Sequence, residues 1–160
     1  MLNSKNLIKI LFILFYTTVT GCKKEELPAG EKRSKLVMQQ INILRVSGCK
    51  CGDEFMPAVS PLLINTQLET AAKKHATDMF ISKYFDHVSL SGKTPSDRVY
   101  DAGYDGVFIG EILAQGYFNA EKAVNAWQQS VSHCKSMMNP DAKEIGAAED
   151  QGYYVAEFGN

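Results

Sequence analysis

Several features that would settle the class of this 160-residue chain are missing from it. Its longest apolar stretch, Ile10 to Val19, is about half of the roughly twenty residues a membrane helix needs. There is no excess of either charge: 17 Lys and Arg face 18 Asp and Glu, interspersed, so no basic stripe offers a footprint for nucleic acid. Internal repeats and low-complexity segments are absent, which excludes solenoids and arrays. No His-Glu-x-x-His motif supports a helix-borne zinc peptidase, and no Gly-x-Ser-x-Gly elbow supports a serine hydrolase. Ser130 and Ser132 stand near His133 in sequence, which is adjacency and not a positioned triad. Histidine itself is scarce, with three in the chain.

What is present begins with a leader-like start. Lys5 and Lys9 precede the apolar segment Ile10 to Val19, and Val19-Thr20-Gly21-Cys22 follows. That ending resembles the lipobox of bacterial lipoproteins, which implies cleavage before Cys22 and diacylation of its sulfur; an uncleaved N-terminal anchor is the alternative. Residues 1–21 then read as a signal peptide and 22–35 as a lipidated tether, charged and almost free of large apolar side chains. Residues 36–160 are left for one domain with a real core. Lys23-Lys24-Glu25-Glu26 is similar to the charged export signals of some surface lipoproteins. The expected location is therefore the cell envelope, periplasmic or facing outward from the outer membrane, with the membrane as a partner through lipidated Cys22.

With Cys22 consumed, Cys49, Cys51 and Cys134 remain, and a protein outside the inner membrane keeps disulfides. Cys49 and Cys51 are one residue apart and would close a strained ring together. Cys51 with Cys134 is the favoured pairing, leaving Cys49 free; Cys49 with Cys134 is the alternative.

Periodicity places a first helix from Leu36 to Val46, ending before Gly48, and then a loop through Cys49, Pro57 and Pro61. Asn65 caps a second helix with Leu68, Ala71, Ala72, His75, Ala76 and Met79 on one face. Thr94 and Pro95 open a short third helix stopped by Gly103, and Val107 to Ala114 is extended. Asn119 caps a fourth helix carrying Ala123, Val124, Ala126, Trp127 and Val131, and Ser132 caps a short turn through Met138. Glu144 to Ala148 and Tyr153 to Phe158 form a hairpin around Glu149-Asp150-Gln151-Gly152. Helices followed by a small antiparallel sheet make an α+β fold.

One carboxylate sits where water should be scarce. Glu111 interrupts the apolar run Val107 to Ala114 and needs a partner, which His87 or His133 can supply as donor or fellow metal ligand. Two imidazoles and a carboxylate, with water in an open position, suit Zn²⁺; a hydrogen-bonded polar cluster is the alternative. His75 lies on the apolar face of its helix, where a satisfied core histidine is the commoner case.

Several segments together resemble the CAP superfamily (cysteine-rich secretory proteins, antigen five, pathogenesis-related one) in its bacterial SCP-like branch. They are Leu68 to Met79, Tyr84-Phe85-Asp86-His87-Val88-Ser89, Thr94-Pro95-Ser96-Asp97-Arg98, Ala102-Gly103-Tyr104, Gly110-Glu111-Ile112-Leu113-Ala114, Ala126-Trp127, His133 with Met138-Asn139-Pro140, Glu144-Ile145-Gly146, and Tyr153 to Phe158. The resemblance implies an α-β-α sandwich, a small antiparallel sheet flanked by helices, and a cleft lined by His87, His133 and Glu111. The second family glutamate falls on Ser130, with Glu121 as a weaker substitute. Ile112 stands where an asparagine commonly follows the glutamate, and Val131-Ser132 where Pro-Gly commonly precedes the histidine.

A cleft with one carboxylate lacks the separated acid and base of a hydrolase. The expectation is therefore an envelope module binding a lipid, glycan or protein ligand, with no nucleic-acid partner. A zinc-dependent peptidase using His87, His133 and Glu111, or a structural surface scaffold, are the alternatives.

Overall fold

The computed structural model describes residues 26–160. The leader, Cys22 and the first part of the tether lie outside them. Helix α1 (Ala29–Ser47) is followed by β1 (Cys49–Cys51), β2 (Glu54–Met56), β3 (Leu63–Ile64) and α2 (Thr66–Ser82). Then come α3 (Pro95–Asp101), β4 (Phe108–Gln115), α4 (Ala120–Gln129), α5 (Val131–Met137), β5 (Glu144–Asp150) and β6 (Tyr153–Gly159). Among the described residues no helix is long and apolar enough to cross a membrane.

The main sheet has the order β3-β5-β6-β4. Its three long strands are antiparallel, and β3 adds a two-residue parallel edge beside β5. This makes the sheet mixed where an all-antiparallel one was expected. The side-chain period of two divides the strands between two helical layers. Ile112, Ala114, Ile145, Ala147, Tyr154, Ala156 and Phe158 pack on Val37, Met38 and Ile41 of α1 and on Val124 and Trp127 of α4. Leu113, Ala148, Tyr153 and Val155 face Ala72, Ala76 and Met79 of α2, and Leu68, Ala71, Val99 and Tyr104 continue that side toward α3. The central strand β6 is buried from end to end because both layers cover it.

Local chemistry explains most element boundaries. The Asn65 side chain accepts from the Gln67 and Leu68 amides at 3.0 and 3.1 Å, and Asn119 holds the start of α4 in the same manner. Thr94 and Asp97 form a reciprocal capping box around Pro95. Gly146 has a packing reason: a β-carbon there would stand 2.0 Å from the Glu69 backbone nitrogen, so only glycine lets α2 lie this close to β5.

Three boundaries differ from the sequence expectation. Helix α1 starts at Ala29, so residues 29–35 are packed structure and not tether. They are held by polar contacts that a search for apolar residues passes over: Arg33 donates to the buried Glu149 at 2.8 Å, and Ser34 Oγ accepts the Glu149 amide at 3.1 Å. The stretch expected as a loop after Gly48 contains the β1–β2 hairpin. Helix α4 ends at Gln129, so Val131 opens α5, where it is exposed, and Ser130, not Ser132, occupies the N-cap.

Buried Arg45 donates to the carbonyls of Ser60, Met137, Asn139 and Ala142, tying α1 to the loops below α5. The Cys51–Cys134 disulfide is present, with a Cα–Cα distance of 5.4 Å, and Cys49 is free and buried. Closing a loop this long contributes about 4 kcal/mol in the chain-entropy account.

Candidate functional site

Glu111 lies on β4, the strand at one edge of the sheet, and its side chain is 1% exposed. It receives two partners. His87 Nδ1 stands 2.7 Å from Oε1, and Arg98 Nη2 donates to Oε2 at 2.6 Å. The cost of burying this carboxylate is therefore offset by an imidazole and a guanidinium together. Arg98 arrives on the inward face of α3 and also donates through Nη1 to the His87 and Lys93 carbonyls, at 2.8 and 3.0 Å. One side chain thus fixes both the carboxylate and the main chain of the histidine that meets it.

The loop carrying His87 is held from a third direction. His75, 1% exposed on α2, places Nε2 at 2.9 Å from the Asp86 carbonyl, so this nitrogen carries the proton and donates. Asp86 Oδ1 in turn accepts the Val88 amide at 2.8 Å. His75 is the satisfied core histidine that its helix face suggested, and what it satisfies is the residue before His87. The His87 side chain remains 49% exposed. With Nδ1 committed to Glu111, Nε2 is the nitrogen left for a ligand.

The electrostatics follow from these contacts. The hydrogen bond to Glu111 raises the His87 pKa above its ordinary value against the opposing effect of burial. For Glu111 burial acts upward and is the largest single influence, yet hydrogen bonds with His87 and Glu157 and the charge of Arg98 bring the carboxyl below the usual range. His133 on α5 is half-buried, and its ring makes no hydrogen bond among the described residues. Burial, then the charge of His87, lowers its pKa. Of the two imidazoles, His87 is thus inclined to hold a proton and His133 to lose one.

A second carboxylate is present, in a place the sequence reading missed. Glu157 on β6 is directly opposite Glu111 in the strand register and is fully buried. Burial, reinforced by the charge of Glu111 and by a hydrogen bond with it, pushes its pKa well above the ordinary carboxylate range. Its signal was legible: Glu157 interrupts Tyr153 to Phe158 as Glu111 interrupts its own apolar run. Arg98 had a weaker one, since a seven-residue helix is too short for periodicity to mark an inward charge.

The remaining expected site residues stand apart. Ser130 Oγ is 3.3 Å from Ser132 Oγ and makes no cap bond, so it does not complete the His87–Glu111 cluster. Glu121 is exposed in the first turn of α4, where it complements the helix dipole. Trp127 is core, and its indole donates to the Leu113 carbonyl at 2.8 Å, closing part of the β4 edge.

A zinc site with His87, His133 and Glu111 as three direct ligands does not fit this arrangement. Both Glu111 oxygens are taken, one by a guanidinium that repels a divalent cation. Among the described residues, only the sulfurs of Cys49, Cys51 and Cys134 gather as three donor atoms within 4.8 Å of one another.

A four-stranded sheet between helical layers, with a histidine–glutamate pair at its edge strand, defines an α-β-α sandwich of CAP type. The chain belongs to the cysteine-rich secretory protein (CAP) family, whose model matches residues 40–155. It is 34% identical over 88 residues to the uncharacterized protein YkwD of Bacillus subtilis, covering 55% of this chain and 34% of that protein. The chain spans 24% to 54% of the length of the curated relatives it matches. An extracellular protein containing an SCP domain from Bacillus anthracis has the same fold, with a TM-score of 0.71 and 22% identity over 82% of this chain and 41% of that one. An outer surface protein from Borrelia burgdorferi matches at TM-score 0.66 and 27% identity, over 85% of this chain and 97% of its own.

Proposed function

We propose that this chain is an extracellular binding module of the cell envelope, held by lipid at Cys22, that receives its ligand at the His87 and His133 imidazoles. The observation that carries this reading is the full engagement of Glu111. A carboxylate with both oxygens bonded, beneath the surface, orients His87 and raises its pKa but has no lone oxygen to act as base on a substrate or water. Glu157 is deeper still, so the second carboxylate restores no acid–base pair at the surface. The Borrelia relative is described as an outer surface protein, and the lipobox-like Val19-Thr20-Gly21-Cys22 agrees with a comparable address.

Any metal bound here would be held by the two imidazoles, with Glu111 behind His87 as the acceptor that fixes its tautomer. Two protein ligands make a weak site. Zinc titration of residues 26–160, with His87→Ala and His133→Ala as controls, tests this: the binding-module reading expects no stoichiometric zinc at neutral pH. Tight zinc together with peptide turnover that His87→Ala abolishes would replace the module with a hydrolase.

A further inference from the structure

Cys49 is left over by both the disulfide and the cleft, yet it is not isolated. Strand β1 directs Cys49 and Cys51 to the same side, with Lys50 turned outward. Both face Cys134 on α5, and all three are buried among Met138 and the partly buried Leu44, Met56 and Val59. The Cys49 sulfur lies 3.8 Å from that of Cys134, close to van der Waals contact, and all three sulfurs fall within 4.8 Å of one another. The sulfurs of both β1 cysteines thus lie beside that of Cys134.

We infer that Cys49, Cys51 and Cys134 form one thiol–disulfide exchange site, in which Cys49 is the internal thiol that reseals the bridge to α5. Two routes balance without an added oxidant. In the first, the Cys49 thiolate attacks Cys134 Sγ, the Cys49–Cys134 bond forms, the Cys51–Cys134 bond breaks, and Cys51 leaves as a thiolate that takes up the proton Cys49 lost. In the second, an external monothiol opens the bridge, leaving itself on Cys134 and a free thiol on Cys51; Cys49 then attacks Cys134 and expels the monothiol. The clustered sulfurs are not in line, so attack requires the Cys49 side chain to rotate away from Cys51. Burial raises the Cys49 pKa, which keeps the folded-state exchange slow. What the site protects is the tether of α5, the helix that carries His133 next to Cys134.

The test uses Cys51→Ser and Cys49→Ser in residues 26–160, refolded in air and mapped by peptide mass spectrometry. Cys51→Ser is expected to contain a Cys49–Cys134 disulfide and to melt close to the parent protein. Incubated with glutathione, the parent should acquire Cys49–Cys134 linkage and shed the adduct, while Cys49→Ser accumulates glutathione on Cys134. Two free thiols in folded Cys51→Ser, or a parent protein that shows only Cys51–Cys134 after glutathione treatment, would overturn the inference. If Cys51→Ser does not fold, the glutathione map of the parent decides alone.

Discussion

A carboxylate that gives up its water requires charge or hydrogen bonds in return, and Glu111 takes one partner for each oxygen. Arg98 bonds both the carboxylate and the His87 carbonyl, so Arg98→Ala leaves a buried carboxylate half uncompensated and frees the His87 loop at once. It is expected to cost about 3–5 kcal/mol in urea unfolding, and Arg98→Lys should recover only part of this because one ammonium cannot replace the forked contacts. Glu157 presents the opposite case. Its folded pKa is raised, so the native state holds a proton that the unfolded chain releases, and stability falls as pH rises above the ordinary carboxylate range. Glu157→Gln removes that loss, so the variant should melt higher than the parent at pH 7 and converge with it near pH 4. A parent melting temperature that does not fall relative to Glu157→Gln across that range would mean Glu157 is ionised and partnered.

At the scale of elements, close packing decides where substitution is tolerated. Gly146→Ala drives a methyl group into the backbone of α2, and since neither helix nor strand can give way cheaply, the loss should be at least about 1–3 kcal/mol by thermal melting. Elements with local signals were legible in the sequence: α2, α3 and α4 announce themselves by Asn65, Thr94 with Pro95, and Asn119, and the β5–β6 hairpin by its turn. Those without were not. The first two turns of α1 have no side-chain cap and few apolar residues, and their order comes from Arg33 and Ser34 meeting Glu149 from the far end of the chain. Strand β3 is two residues long and exists only through its pairing with β5. The site divides in the same way. His87 and Glu111 were visible because each is locally anomalous, whereas Arg98 becomes part of the site only when α3 is docked against β4.

For the whole molecule, the first helix begins at Ala29, which on the proposed lipidation of Cys22 would set how far the domain can stand from the lipid. Six residues lie between Cys22 and Ala29, a length of chain that spans at most about 20 Å. Removal of residues 1–25 should leave the melting temperature unchanged. Removal of residues 1–35 strips Arg33 from buried Glu149 and should destabilise the domain by about 3 kcal/mol or more, read by the same melt. The two histidines depend on different parts of that frame: His87 is fixed by α2, α3 and β4, and His133 rides on a helix tied to β1 by the disulfide. Buried Glu111 orients the half-exposed His87 imidazole and raises its pKa. The raised His87 pKa stabilises the fold below the ordinary histidine range and loses that effect as pH rises through the folded value. The most direct test is an NMR titration of the His87 ring in the wild-type protein and in Glu111→Gln. Wild-type His87 should titrate above about 6.5 with Nδ1 protonated in its neutral form, and Glu111→Gln should bring it down. An unchanged His87 pKa in folded Glu111→Gln would contradict the account.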